Sequence, residues 1–145
     1  MKKAIEQAKF ALKEDEVPVG AVLVSEDQIL GFGHNQCIGS NDPTAHAEII
    51  AIRNAAGSKE NYRLPGSTMY VTLEPCLMCA GALVHSRIKR IVFSTRDPKS
   101  GVLVSNSNIL QSPFLNHKVE ICEGLLREES SDLLKDFFIN KRTKY

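Results

Sequence analysis

The sequence predicts an α/β fold of three layers, α/β/α, with one five-stranded mixed sheet flanked by helices. Three observations predict it. Helix-period and strand-period segments alternate in the order α-β-β-α-β-α-β-β-α, a pattern that puts helices on both faces of one sheet. No internal repeat or low-complexity linker interrupts the 145 residues, so residues 1–145 read as a single domain with one core. A composition of 43% apolar and 24% charged residues excludes the disordered and fibrous classes.

Each element has its own reason. Residues 2–14 place Ile5, Ala8, Ala11 and Leu12 at helical spacing, and Val17-Pro18-Val19-Gly20 breaks that helix. Residues 21–24 and 28–33 read as two strands around a turn at Ser25-Glu26-Asp27, a hairpin. A polar loop, residues 35–42, follows. Asn41 or Asp42 before Pro43 predicts a helix start, with the helix running to about Ala56 and stopping at Gly57. Thr68 to Leu73 is a β-rich run, and Pro75 opens a helix carrying Cys76 and Cys79. Residues 88–93 and 119–122 read as strands, and a last helix runs from about Leu125 into the tail.

Bulk properties remove several function classes. No stretch approaches the apolar length that crosses a membrane. Glu6, Gln7 and Lys9 interrupt any apolar core behind Met1-Lys2-Lys3, so no signal peptide is expected and the chain reads as cytoplasmic. A net charge of +1 does not advertise a polyanion partner for the molecule as a whole. The tail from Lys135 to Tyr145 differs, holding four of the eighteen basic residues and three of the nine aromatics. By composition alone it reads as a solvated helix end. In a reducing compartment four cysteines do not imply disulfides, and a Cys-x-x-Cys pair points to a metal or to redox chemistry. Cys37 and Cys122 read as small apolar fillers.

The chemistry sits in a split signature: His46-Ala47-Glu48, then 26 residues, then Pro75-Cys76-Leu77-Met78-Cys79. His46, Cys76 and Cys79 supply one nitrogen and two sulfurs. A catalytic zinc takes three such ligands and leaves the fourth tetrahedral position for water. Zinc is favoured over harder divalent ions by the softness of the sulfurs. Glu48 is two residues from His46 and diverges from it by about 200° on a regular helix. It is therefore assigned as a proton carrier and not as a ligand. Cys76 and Cys79, at i and i+3, share one face of a first helical turn, where the dipole favours thiolates. Alone, Cys-x-x-Cys fits a redox pair or a structural zinc knuckle, and His-x-Glu occurs by chance. Jointly, H-x-E and P-C-x-x-C mark the zinc-dependent deaminases of nucleobases.

That signature resembles the cytidine-deaminase-like superfamily. The text around it is similar to the branch of bacterial enzymes that turn the wobble adenosine of a tRNA anticodon into inosine. The matching stretches are residues 16–24, residues 42–49, Asn61-Tyr62-Arg63-Leu64, residues 70–82, His85-Ser86-Arg87-Ile88 and Asn116-His117. The resemblance spans essentially the whole chain. It implies a homodimer with one zinc per chain held by His46, Cys76 and Cys79, and Glu48 moving the protons. It further implies that Asn35 hydrogen-bonds the flipped base, and that Val19, the segment around it and Leu73 line the pocket. Asp97 and Lys99 resemble positions near the anticodon-loop backbone, and Phe138 and Arg142 resemble residues that touch the RNA, which changes the reading of the tail. After Asp97 the family commonly has a small, Gly-containing run, where this chain has Val102-Leu103-Val104.

Two other functions share parts of the signature. A deaminase of a free base or nucleoside (guanine, cytosine or cytidine) would use the same zinc and glutamate. A non-catalytic, zinc-stabilised RNA-binding module would need a fourth protein ligand and has no use for Glu48.

Overall fold

The computed structural model describes residues 1–143. Five strands form one sheet in the order β2-β1-β3-β4-β5: β1 (Gly20–Ser25), β2 (Gln28–His34), β3 (Thr68–Leu73), β4 (Arg90–Thr95) and β5 (Glu120–Glu123). β1 runs antiparallel to both β2 and β3, whereas β3, β4 and β5 are mutually parallel, so the sheet is mixed. Four helices flank it: α1 (Lys2–Lys13), α2 (Ala47–Lys59), α3 (Leu77–His85) and α4 (Arg127–Thr143). A short 3-10 turn, Ile109–Gln111, lies in the connection between β4 and β5.

Register assigns the two faces. Ala21 and Leu23 stand opposite Gly33 and Gly31 on β2 and opposite Val71 and Met69 on β3, which pair in turn with Phe93 and Ile91. These side chains are fully buried and share one cluster with Ala47, Ala51 and Ala55 of α2 and Leu83 of α3. The other face, starting from Gly20, carries α1, whose buried stripe is Ala4, Ile5, Ala8 and Ala11. There α1 and α4 touch each other, and α4 packs on β3 and β4.

Small residues set how close α2 comes. A Cβ on Gly33 would collide with the Ala47 carbonyl, and one on Gly31 with that of Ala51. The helix therefore lies directly on β2, with its N-terminus at the β2 end that leads to Asn35.

Several boundaries differ from the sequence expectation. α2 begins at Ala47, not at residue 42 or 43, because Asp42 is spent on a local turn: its Oδ1 accepts the Thr44 N–H at 2.9 Å and the Thr44 hydroxyl at 2.7 Å. The helix runs past Gly57 to Lys59 and ends on Glu60 in a left-handed conformation, φ 52°. α3 begins at Leu77, leaving Cys76 as the extended residue before it. β4 lies two residues later than expected, at Arg90–Thr95. Cys122 is exposed on edge strand β5 and is no core filler, while Cys37 is half-buried. Of the basic, aromatic tail, Lys144 and Tyr145 lie outside the described residues.

Candidate metal centre and substrate pocket

Two helix N-termini converge where β3 and β4 end, the usual place for a ligand in an open α/β sheet. His46 is the extended residue before α2 (φ −73°, ψ 154°) and Cys76 the extended residue before α3 (φ −80°, ψ 178°). His46 thus stands outside the helix, which replaces the helical divergence expected between it and Glu48. Cys79 and Glu48 lie in the first turns of α3 and α2, both buried. The N-terminus of α2 is tied down from a distance: Asn35 Oδ1 accepts the Ala47 N–H at 2.8 Å.

The donor atoms of His46, Cys76 and Cys79 all lie within 4.8 Å of one another. A tetrahedral ion at ordinary Zn–S and Zn–N distances sets sulfur and nitrogen about 3.5 Å apart. His46 Nδ1 is 3.6 Å from the Cys76 sulfur and 3.6 Å from the Cys79 sulfur. One zinc fits this cluster, with two sulfurs and one nitrogen as its protein ligands.

The electrostatics are those of a site built for a cation. The Cys79 thiol, donating to Cys76, is the main influence that brings the Cys76 thiol down to about 4, with His46 adding to it against the effect of burial. Cys79 is pushed up, by its bond to Cys76 and by burial. Without metal the pair therefore shares one proton, which a bound metal ion would displace. The Cys76 partner raises His46. Burial raises Glu48, outweighing its own backbone amide, Cys79 and His46. A carboxylate so placed exchanges protons nearer neutrality than an exposed one.

A cavity of about 240 Å³ opens at the centre, lined by Val17, Val19, Asn35, His46, Glu48, Leu73, Glu74, Cys76, Asp97 and Ser100. Next to it runs a groove of about 660 Å³ whose far side is α4, through Leu134, Lys135, Phe138, Ile139 and Arg142. Val17, Leu73, Asp97 and Ser100 line both. The structure thus brings Glu48, His46, Cys76, Asn35, Val19, Leu73 and Asp97 to the inner cavity. Lys99, Phe138 and Arg142 border the groove and not the metal. Phe138 is 47% exposed, its ring edge-on to buried Phe137 at 5.3 Å between centroids.

Glu74 and Glu16 belong to no catalytic motif in the sequence, and the structure makes both prominent. Glu16, 3% exposed, accepts the N–H groups of Ile38 at 3.1 Å and Gly39 at 2.8 Å, pinning the loop that follows Asn35. Glu74, 2% exposed, accepts from the segment 97–105. Burial works to raise its carboxyl, and the bonds from Ser105, Val104 and Asp97 outweigh it, so the group titrates below the ordinary 4.5. The one available signal was the placement of each glutamate immediately before a motif: Val17-Pro18-Val19-Gly20 and Pro75-Cys76.

Comparison with known proteins agrees with this arrangement. Residues 1–95 match the cytidine and deoxycytidylate deaminase zinc-binding region. The chain is 51% identical to a tRNA-specific adenosine deaminase of Haemophilus influenzae over 143 residues, 98% of this chain and 83% of that one. It is 48% identical to the tRNA-specific adenosine deaminase of Aquifex aeolicus over 138 residues, 95% and 91% of the two chains. Among solved structures, a tRNA deaminase studied for A-to-I editing at the wobble position of transfer RNA superposes with a TM-score of 0.90. It is 41% identical, over 92% of this chain and 97% of that one. Five strands in mixed order, a His/Cys/Cys cluster at two helix N-termini and full-length identity near one half place this chain in the tRNA-specific adenosine deaminase family of zinc aminohydrolases.

Proposed function

We propose that this protein hydrolyses the wobble adenosine of a tRNA anticodon to inosine and ammonia, using one zinc per chain. The observation that carries this reading, above a free base or nucleoside, is the continuity of the metal cavity with the groove against α4. A narrow cavity takes one flipped base. An open groove with an aromatic face and cations beside it holds the nucleotides on either side.

His46, Cys76 and Cys79 hold the metal. Zinc supplies Lewis acidity and turns water into a nucleophile near neutral pH. The remaining work belongs to the chain's own groups. Glu48 accepts the proton of the attacking water and passes it to the ring nitrogen beside C6; it then takes the proton of the new C6 hydroxyl and delivers it to the amine, which leaves as ammonia while the C6 carbonyl forms. Asn35 commits its Oδ1 to the Ala47 N–H, which leaves its Nδ2 to donate to the base. Val17, Val19 and Leu73 supply apolar walls that keep bulk water from the reacting carbon. Asp97 uses Oδ1 to accept the N–H groups of Lys99 at 3.1 Å and Ser100 at 3.2 Å, shaping a turn that faces the RNA backbone. Phe138 stacks on a flanking base and Arg142 pairs with a phosphate.

Residues 1–145 act as a single domain, and two chains form a homodimer. Supporting the dimer, Leu77 is 64% exposed directly after the ligand Cys76, and Tyr62 is 70% exposed after α2. Sedimentation velocity at micromolar concentration tests it, and a monomer there contradicts it. No helix among the described residues is long and apolar enough to cross a membrane. On this reading the reaction belongs to the cytoplasm, where tRNA would be its substrate.

The test uses zinc-loaded protein with an anticodon stem-loop carrying adenosine at the wobble position. Free adenosine, cytidine and guanine run in parallel, with nucleosides analysed after digestion. Inosine from the stem-loop alone is expected. Ammonia from small substrates with none from RNA would replace this reading with a free-base deaminase.

A further inference from the structure

The wall shared by cavity and groove is the segment 97–105, and one side chain holds it. Glu74 Oε2 accepts three consecutive backbone N–H groups, from Leu103 at 3.1 Å, Val104 at 2.8 Å and Ser105 at 2.9 Å. Its Oε1 accepts the Asp97 N–H at 3.1 Å and the Ser105 hydroxyl. Five donors on one buried carboxylate exceed the roughly four lone-pair sites of an ionised carboxyl group, so no acceptor capacity remains for substrate.

The segment is shaped to receive that carboxylate. Gly101 is buried against it, and a Cβ there would fall on the Glu74 carboxyl group. Leu103, 2% exposed, turns its side chain into the core while its amide faces Glu74. Bulky residues at 102–104 are thus accommodated, because the backbone and not the side chains makes the turn. Main-chain bonds complete the link: Val102 N–H to the Pro75 carbonyl at 3.2 Å and Glu74 N–H to the Thr95 carbonyl at 2.9 Å.

Glu74 is therefore bound covalently, through Pro75, to the metal ligand Cys76. It is bound non-covalently to the segment carrying Asp97, Lys99 and Ser100. We propose that Glu74 is a positioning residue that fixes this RNA-facing segment relative to the metal centre, so that the flipped base and the strand beside it are held in one geometry. The proposal rests on the RNA reading given above. Glu74 touches neither metal nor reacting atoms; its effect passes through the placement of Asp97 and its neighbours.

Three variants test it. Glu74→Gln keeps the shape but removes the charge and turns NH2 toward backbone donors. Gly101→Ala leaves Glu74 in the chain but displaces its carboxyl group, and Ser105→Ala removes a single donor. Each is assayed for kcat and KM on the anticodon stem-loop, and for zinc per chain. KM is expected to rise on the order of tenfold or more in Glu74→Gln and Gly101→Ala, from the loss of charge-assisted bonds. A smaller rise is expected in Ser105→Ala, with zinc retained in all three and kcat changed far less than KM. An unchanged KM, or activity falling in step with zinc content, overturns the proposal and leaves Glu74 a structural residue. If wild type makes no inosine from the stem-loop while the zinc is bound, the RNA reading has failed, and the proposal with it.

Discussion

Replacing Glu48 by Gln isolates the proposed proton carrier from everything else in the site. The side chain is 4% exposed in the first turn of α2, and the amide has the same shape. Burial is the main influence raising this carboxyl, so a neutral substitute relieves a cost, and the unfolding temperature is expected to hold or rise. A positioned acid–base group contributes about 10²–10⁴-fold to rate. The structure argues for the upper end of that range. Two other carboxylates line the cavity among the described residues: Glu74 is saturated by five donors, and Asp97 has its Oδ1 engaged by the Lys99 and Ser100 amides. Glu74 has no acceptor capacity left to take over, and Asp97 is held in its turn through one oxygen. A loss of about 10³–10⁴ in the single-turnover rate, or about 4–5 kcal/mol, is expected with one zinc still bound. The assay is single-turnover inosine formation beside metal analysis. Loss of zinc with the activity would make Glu48 a ligand, and a rate within tenfold of wild type would remove it from the proton path.

Three further outcomes follow from the same geometry. Phe138→Ala weakens stem-loop binding by about 1–3 kcal/mol through lost stacking, whereas Arg142→Ala lowers the slope of log affinity against log salt by about one. Fluorescence anisotropy at several salt concentrations separates the two, and wild-type binding by both contradicts the groove assignment. In zinc-stripped protein at pH 6, Cys76, with its thiol near 4, is alkylated before Cys79, whose proton is held; zinc protects both. Peptide mapping reads the order, and equal labelling contradicts it. Glu74 titrates below its ordinary 4.5, so its contribution to stability is full above that value and lost as pH falls through the lowered one. Glu74→Gln therefore lowers the urea midpoint at pH 7, by about 1–3 kcal/mol of stability, and the gap narrows on acidification below pH 4.5. A gap independent of pH contradicts the ionised, hydrogen-bonded assignment.

What the sequence revealed and what it hid divide along a physical line. Thr68–Leu73 was legible residue for residue, since a β-branched run bounded by Gly66-Ser67 and Pro75 permits little else. The metal cluster was legible because softness and spacing are local properties. The start of α2 was not. Pro43 after Asp42 is an ordinary helix opening, but the acceptor at the helix start comes from Asn35, twelve residues before Ala47, and Asp42 serves Thr44 instead. The end of α2 misled for a related reason: Gly57 sits inside the helix, and Glu60 takes the left-handed position that glycine usually fills. Glu74 is the clearest case of what stayed hidden. Its partners lie 23 to 31 residues away, and four of the five are backbone amides, which no side-chain pattern announces.

The measurement that bears most directly on the central claim is position-resolved. A pool of unmodified tRNA transcripts is incubated with the zinc-loaded protein and sequenced after reverse transcription, where inosine is read as guanosine. Conversion at the wobble adenosine of an anticodon is expected, and none at the same adenosine with Glu48→Gln. Conversion scattered over exposed adenosines, or none while a free base is turned over, would contradict it.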